Sequence, residues 1–112
     1  MGTVRMSLQW FVPSGESGSI TSALHALMVA TRAEPGCVSC QLSTEVGRQV
    51  ELRYVEEWKR EEDLKRQLRS ERFSRLAELI ERATERPRIE FSVGSTVRGL
   101  EYAEEIREGE SA

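Results

Sequence analysis

One histidine, two cysteines and three prolines among 112 residues close off several kinds of chemistry. A zinc site on Cys37 and Cys40 would need two further ligands, and His25 is the only imidazole in the chain. No metal site is therefore expected. No glycine-rich phosphate cradle and no Ser/His/Asp arrangement appears. The longest apolar stretch, ALHALMVA, is too short and too mixed to span a bilayer. The opening MGTVRMSLQW has no cationic segment leading into an apolar core, so no secretory signal is read and a cytoplasmic location is expected. Neither sign of charge collects in a long block: 16 basic and 19 acidic residues give a net charge of −3. Without a basic patch, nucleic acid is not an expected partner, and neither is a membrane.

The length suits one domain, and hydrophobic residues at 38% with charged residues at 31% describe a single core beneath a wet surface. The two cysteines form a C-x-x-C pair directly after Pro35-Gly36, at the start of an extended run rather than at a helix N-terminus. Residues three apart on a regular strand point to opposite faces, so two free thiols are expected, one of them buried.

Residues 3 to 12 alternate, with Val4, Met6, Leu8, Trp10 and Val12 on one face and Thr3, Arg5, Ser7 and Gln9 on the other. That is a period-2 strand. After Pro13-Ser14-Gly15, residues Ile20, Ala23, Leu24, Leu27 and Met28 form a helical stripe, and Glu34-Pro35-Gly36 ends it. His25 falls off that stripe, near its border, and should be exposed. A second strand is expected from about Val38 to Thr44. A third begins at Val50 beyond the turn at Gly47, with Val50, Leu52, Tyr54, Glu56 and Trp58 sharing a face.

A helical stretch from about Arg60 to Thr84 carries two stripes, Leu64 with Leu68, then Phe73, Leu76, Ile80 and Ala83, rotated by roughly 100°. The offset predicts a break near Ser70, which can cap the second piece. The pairs 61/65, 62/66, 71/75 and 78/82 have the spacing and order of helical ion pairs. RIEFSVG supplies a fourth strand. The tail from residue 96 reads as a short helix or an extended arm, which divides the chain into a domain at 1–95 and an extension at 96–112. The order β-α-β-β-α-β is that of an α+β, ferredoxin-like fold. Its other sheet face carries Arg5, Ser7, Gln9, Phe11, Glu51, Arg53, Val55 and Glu57, either solvated or packed on a second copy.

Four pieces in order carry a family resemblance: E-P-G-C at 34–37, V-E-E-W at 55–58, Leu64, and R-S-E-R-F at 69–73. Together they resemble the antibiotic biosynthesis monooxygenase (ABM) domain family, and R-G-L-E at 98–101 is similar to members with a C-terminal extension. The resemblance implies a dimeric α+β barrel, a homodimer in which two sheets face each other and each monomer keeps its own pocket. It implies a cofactor-independent monooxygenase, needing neither metal nor flavin, for a small aromatic or quinol-type molecule and dioxygen. Two departures stand out. The family's helix histidines fall on Gln67 and Arg72, and the place of an Asn before the tryptophan is near Tyr54. His25 matches no axial-ligand position of haem-degrading relatives.

On this reading Glu56 is a base or an orienter, and Trp58 is its catalytic neighbour. Tyr54 and Trp10 line the pocket, while Gln67 and Arg72 contact the ligand. Glu56 on a core face is either paired with a helix arginine or desolvated, with a raised pKa suited to a general base. The alternative is a non-catalytic dimeric ligand-binding or stress-associated module that keeps the fold. A further option is a structural partner module whose pocket is filled by its own side chains.

Overall fold

A computed structural model describes the backbone of residues 4–111 and the side chains through residue 109. Thr3 and the outermost ends of the 1–95 and 96–112 segments lie outside the described residues. The alternation at the start becomes β1 (Val4–Val12), whose odd-numbered side chains are exposed or half-buried while the even ones are buried. Next come α1 (Ser17–Arg32), β2 (Cys37–Val46), β3 (Val50–Trp58), α2 (Glu61–Leu68), α3 (Glu71–Ile80) and β4 (Arg88–Val93). The chain ends with β5 (Thr96–Arg98) and α4 (Leu100–Ser111). The sheet order is β2-β3-β1-β4-β5, with every neighbour antiparallel. This is the α+β, ferredoxin-like arrangement, with one strand and one helix added at its end.

The core lies between one sheet face and the helices. Met6, Leu8, Trp10, Leu52 and Tyr54 from the strands meet Ile20, Leu24, Leu64, Leu68 and Leu76 from the helices, all nearly inaccessible to solvent. Burying a side chain of this kind contributes roughly 1.5–3 kcal/mol each. The break between α2 and α3 falls at Ser70, whose Oγ accepts from the Phe73 N–H at 3.3 Å. An N-cap of this type contributes about 1 kcal/mol. No helix among the described residues is long and apolar enough to cross a membrane.

Several local expectations are corrected. Helix α3 stops at Ile80 rather than near Thr84. The Thr84 N–H is instead bonded to Phe11 C=O at 2.9 Å, and Pro87 biases the residue before it away from helix. Strand β5 is a three-residue return from β4 through Gly94 at φ 61°, too short to show a period. Of the four helical ion pairs only Glu61–Lys65 forms, at 4.0 Å, while Arg66 turns to Asp63 and Arg82 to Glu16.

The largest correction concerns the cysteines. A β-bulge between Cys37 and Ser39 places Cys37 opposite Trp58 and Cys40 opposite Glu56. Trp58 and Glu56 share the inner face, so both cysteines face inward, where a regular strand would have split them. Both thiols are free; Cys37 is half-buried and Cys40 buried.

The tail helix α4 lays Tyr102 and Ala103 into the core. The Tyr102 ring lies 5.2 Å from that of Phe91, and its hydroxyl donates to Glu61 at 2.6 Å. On the outer sheet face, Arg5 pairs with Glu57 at 3.1 Å and Gln9 donates to Glu51 at 2.7 Å. Arg5 with Glu57 and Arg53 with Glu51 are thus paired within one sheet.

Candidate functional site

Strand β3 ends on Trp58 because the indole serves the residue two places before it. Same-face neighbours on a strand are two apart, and Trp58 Nε1 donates to Glu56 Oε1 at 3.1 Å. Tyr54, two places further back, donates its hydroxyl to Glu56 Oε2 at 2.6 Å. Gln67 on α2 adds a longer bond from Nε2 to the same oxygen at 3.4 Å. Glu56 is 0% exposed, and Tyr54, Trp58 and Gln67 are no more than 2% exposed.

Two further layers extend this cluster. Toward β2, Cys40 Sγ donates to Tyr54 Oη at 3.2 Å. Toward the helices, Gln67 Nε2 also bonds Thr31 Oγ1 at 3.2 Å, and Gln67 Oε1 accepts from Arg72 Nε at 2.9 Å. Arg72 then reaches Glu34 at 3.1 Å, near the surface. The structure thus joins Glu56, Trp58, Tyr54, Gln67 and Arg72 in one network. Trp10 stands apart, opposite Leu52 in the β1–β3 ladder, and its buried Nε1 has no protein partner.

Burial is the main cause pushing the Glu56 carboxyl above its ordinary range, opposed by the bonds from Tyr54, Trp58 and Gln67 and by the Arg72 charge. Desolvation wins because no cation touches the group. Tyr54 is pushed up by burial and by the Glu56 charge, and burial takes the Cys40 thiol up to about 11. The hydroxyl and thiol can reverse their bonds. When Glu56 is protonated, its O–H donates to Tyr54 and Tyr54 donates to Cys40, so the cluster stays satisfied in both states.

The E-P-G-C turn fixes this geometry. Gly36 has φ +86°, its carbonyl accepts from the Lys59 N–H at 2.8 Å, and the buried Asp63 carboxyl packs against its Cα. Asp63 in turn accepts from the Arg60 N–H at 3.2 Å, capping α2. The turn before β2 is thereby clamped to the start of the helix that carries Gln67.

Trp58 and Glu56 are closed off from solvent, at 2% and 0% exposure. Open volume lies one layer outward, in a groove of about 630 Å³ between α1 and α3. Ala23, Ala26, Leu27, Ala30 and Leu79 give it an apolar wall, and Glu71, Arg72, Arg75 and Glu78 give it charges of both signs. Arg72 is therefore the point at which the buried network meets accessible space. Sequence reasoning gave no site role to Glu34, Thr31 or the alanine strip. Ala23, Ala26 and Ala30, recurring three and four apart, were the signal for a shallow helix face. His25 is exposed.

An antiparallel sheet, a broken second helix and a carboxylate held by Tyr, Trp and Gln define an α+β protein with the monooxygenase-type ferredoxin-like fold. The model of the family described as Antibiotic biosynthesis monooxygenase matches residues 3–79, and the chain belongs to that family. A conserved protein from Methanosarcina mazei has a similar structure, with TM-score 0.72, 23% identity and coverage of 84% of this chain and 94% of that one. So has a protein from Caulobacter crescentus described as a putative antibiotic biosynthesis monooxygenase, at TM-score 0.68 and 19% identity over 81% and 88% of the two chains. SnoaB, a cofactor-independent oxygenase from Streptomyces nogalater, aligns at TM-score 0.67 and 14% identity over 86% and 96%. At such identities the likeness is one of fold. No curated protein matches the chain in sequence.

Proposed function

We propose that this protein is a cofactor-independent monooxygenase for a small aromatic or quinol-type substrate, bound in the α1–α3 groove with its oxygen against Arg72. The observation that carries this reading is the continuous path from the groove through Arg72 and Gln67 to a buried carboxyl with a raised pKa. The phenolic proton passes to water in the open groove, and the guanidinium stabilises the phenolate left behind, which is electron-rich enough to reduce dioxygen directly. One oxygen atom enters the product as a carbonyl and the other leaves as water, with all four electrons supplied by the substrate. Glu56 acts as orienter: through Gln67 it aims Arg72, while Tyr54 and Trp58 hold Glu56 in place.

The reading predicts dioxygen uptake with a panel of reduced quinols and naphthols, and one labelled atom in the product from ¹⁸O₂. Arg72→Ala should lower kcat/KM by about 100-fold, the usual scale for removing one oxyanion donor. Uptake no faster than the uncatalysed rate across the panel sinks it.

A non-catalytic ligand-binding module is the second reading, favoured by the closure of Glu56 at 0% exposure. It is distinguished by naphthol binding in the groove, seen as a change in tryptophan fluorescence, with no oxygen consumed. In both readings the protein works as a homodimer through its outer sheet face, where Phe11 and Val55 are half-buried between satisfied charges. Light scattering should give twice the 12.7 kDa chain mass, and a monomer at micromolar concentration contradicts this.

A further inference from the structure

We propose that Cys37 and Cys40 form a two-thiolate site for a soft, two-coordinate cation, with Cu(I) as the test ion. The bulge at Val38 turns both side chains to the inner face, opposite Trp58 and Glu56. Cys37 Sγ makes one weak bond, donated to Ser39 C=O at 3.7 Å. The Cys40 thiol makes one weak bond, to Tyr54. A cavity of about 390 Å³, lined by Arg32 and the run Cys37 to Gln41, borders the pair, and an ion enters past half-buried Cys37 because Cys40 is 1% exposed.

The donor set decides the kind of ion. Among the described residues no group of three or more His, Cys, Asp or Glu side chains can hold a metal. Both Glu56 oxygens are already taken by Tyr54, Trp58 and Gln67. Hard cations and zinc therefore lack ligands, whereas two sulfurs suffice for Cu(I). The cysteines are two ladder steps apart, roughly 7 Å between Cα atoms, at the outer limit for a direct disulfide. A bridging ion adds two metal–sulfur bonds to the reach of the pair.

Charge acts both ways: the Glu56 carboxyl opposes a thiolate pair and the Arg32 guanidinium favours it. Two thiols plus Cu(I) give a bis-thiolate complex of charge −1 and two released protons. The Arg32 guanidinium, which donates to Cys40 C=O at 2.7 and 3.1 Å, lies beside that charge. Each thiol gives up a proton on binding, so affinity should climb by up to about 100-fold per pH unit near neutrality.

The test is an anaerobic titration of the full chain with Cu(I) buffered by bicinchoninate, at pH 7 and pH 8. One Cu(I) per chain is expected, held more tightly at pH 8, with quenching of Trp58 emission. Cys37→Ser and Cys40→Ser should each bind at least 100-fold more weakly while keeping the wild-type circular dichroism spectrum. Cys37 is half-buried, so its variant remains informative if the Cys40 variant unfolds. The proposal is overturned if wild type takes no Cu(I) from the competitor, if Cys37→Ser keeps wild-type affinity, or if each thiol takes its own ion.

Discussion

Glu56→Ala will lower the unfolding free energy by roughly 2–4 kcal/mol, the sum of a cavity and two or three buried donors left without an acceptor. Trp58 Nε1 makes no other hydrogen bond among the described residues, whereas Tyr54 can turn to Cys40 and Gln67 keeps Thr31. Glu56→Gln should behave differently. The amide fills the same volume, its oxygen can accept from Trp58, and its N–H₂ can donate to Tyr54, as the protonated acid does. Chemical denaturation of the three proteins at pH 4.5, where folded wild type keeps the Glu56 proton, checks the order: wild type and the Gln variant close together, the Ala variant far below.

Proton linkage sharpens that comparison. The folded protein holds the Glu56 proton more tightly than the unfolded chain, because burial raises its pKa. Between the ordinary value of 4.5 and the folded-state titration point, the folded state therefore carries the extra proton. The stability contributed by this group is complete below 4.5 and is lost as pH rises through that window. Subtracting the Gln variant's stability from that of wild type removes the other carboxyl groups. The difference should fall with rising pH and then level off; a difference that rises with pH contradicts a raised pKa.

The second large effect is expected at Gly36. Alanine there must adopt φ +86°, and its Cβ would run into the carboxyl of Asp63. The left-handed conformation costs roughly 1–2 kcal/mol, and the collision adds a similar amount by displacing an N-terminal cap. A total of roughly 3 kcal/mol corresponds to a fall in Tm of about 12 °C for a domain of this size. Asp63 is 2% exposed and tied to the Arg60 N–H, so it cannot simply swing aside. Gly18→Ala meets nothing within 4 Å and should leave Tm unchanged or slightly higher. Equal melting temperatures for Gly36→Ala and wild type would refute the clamp between the E-P-G-C turn and α2.

What could be read from the sequence was what depends on local periodicity. The alternation in β1, the inward face of β3 with Glu56 and Trp58 on it, and the cap at Ser70 each follow from a few adjacent residues. Contacts between distant segments could not be read that way. Arg72 and Glu34 meet across 38 positions, and Gln67 meets Thr31 across 36. The bulge at Val38 was hidden for a related reason. One extra residue changes which side chains share a face, and only the partner strand's register shows it. The closed cluster around Glu56 depends on side-chain volumes from both layers, which no single segment specifies.

The most direct measurement is the titration of the Glu56 side chain by carbon-13 NMR, in wild type and in Arg72→Ala. A carboxyl hub coupled to the groove should titrate above the ordinary carboxyl range in wild type. It should titrate higher still once the Arg72 charge, which favours ionisation, is removed. A midpoint at the ordinary value, or one that Arg72→Ala leaves unmoved, would contradict it.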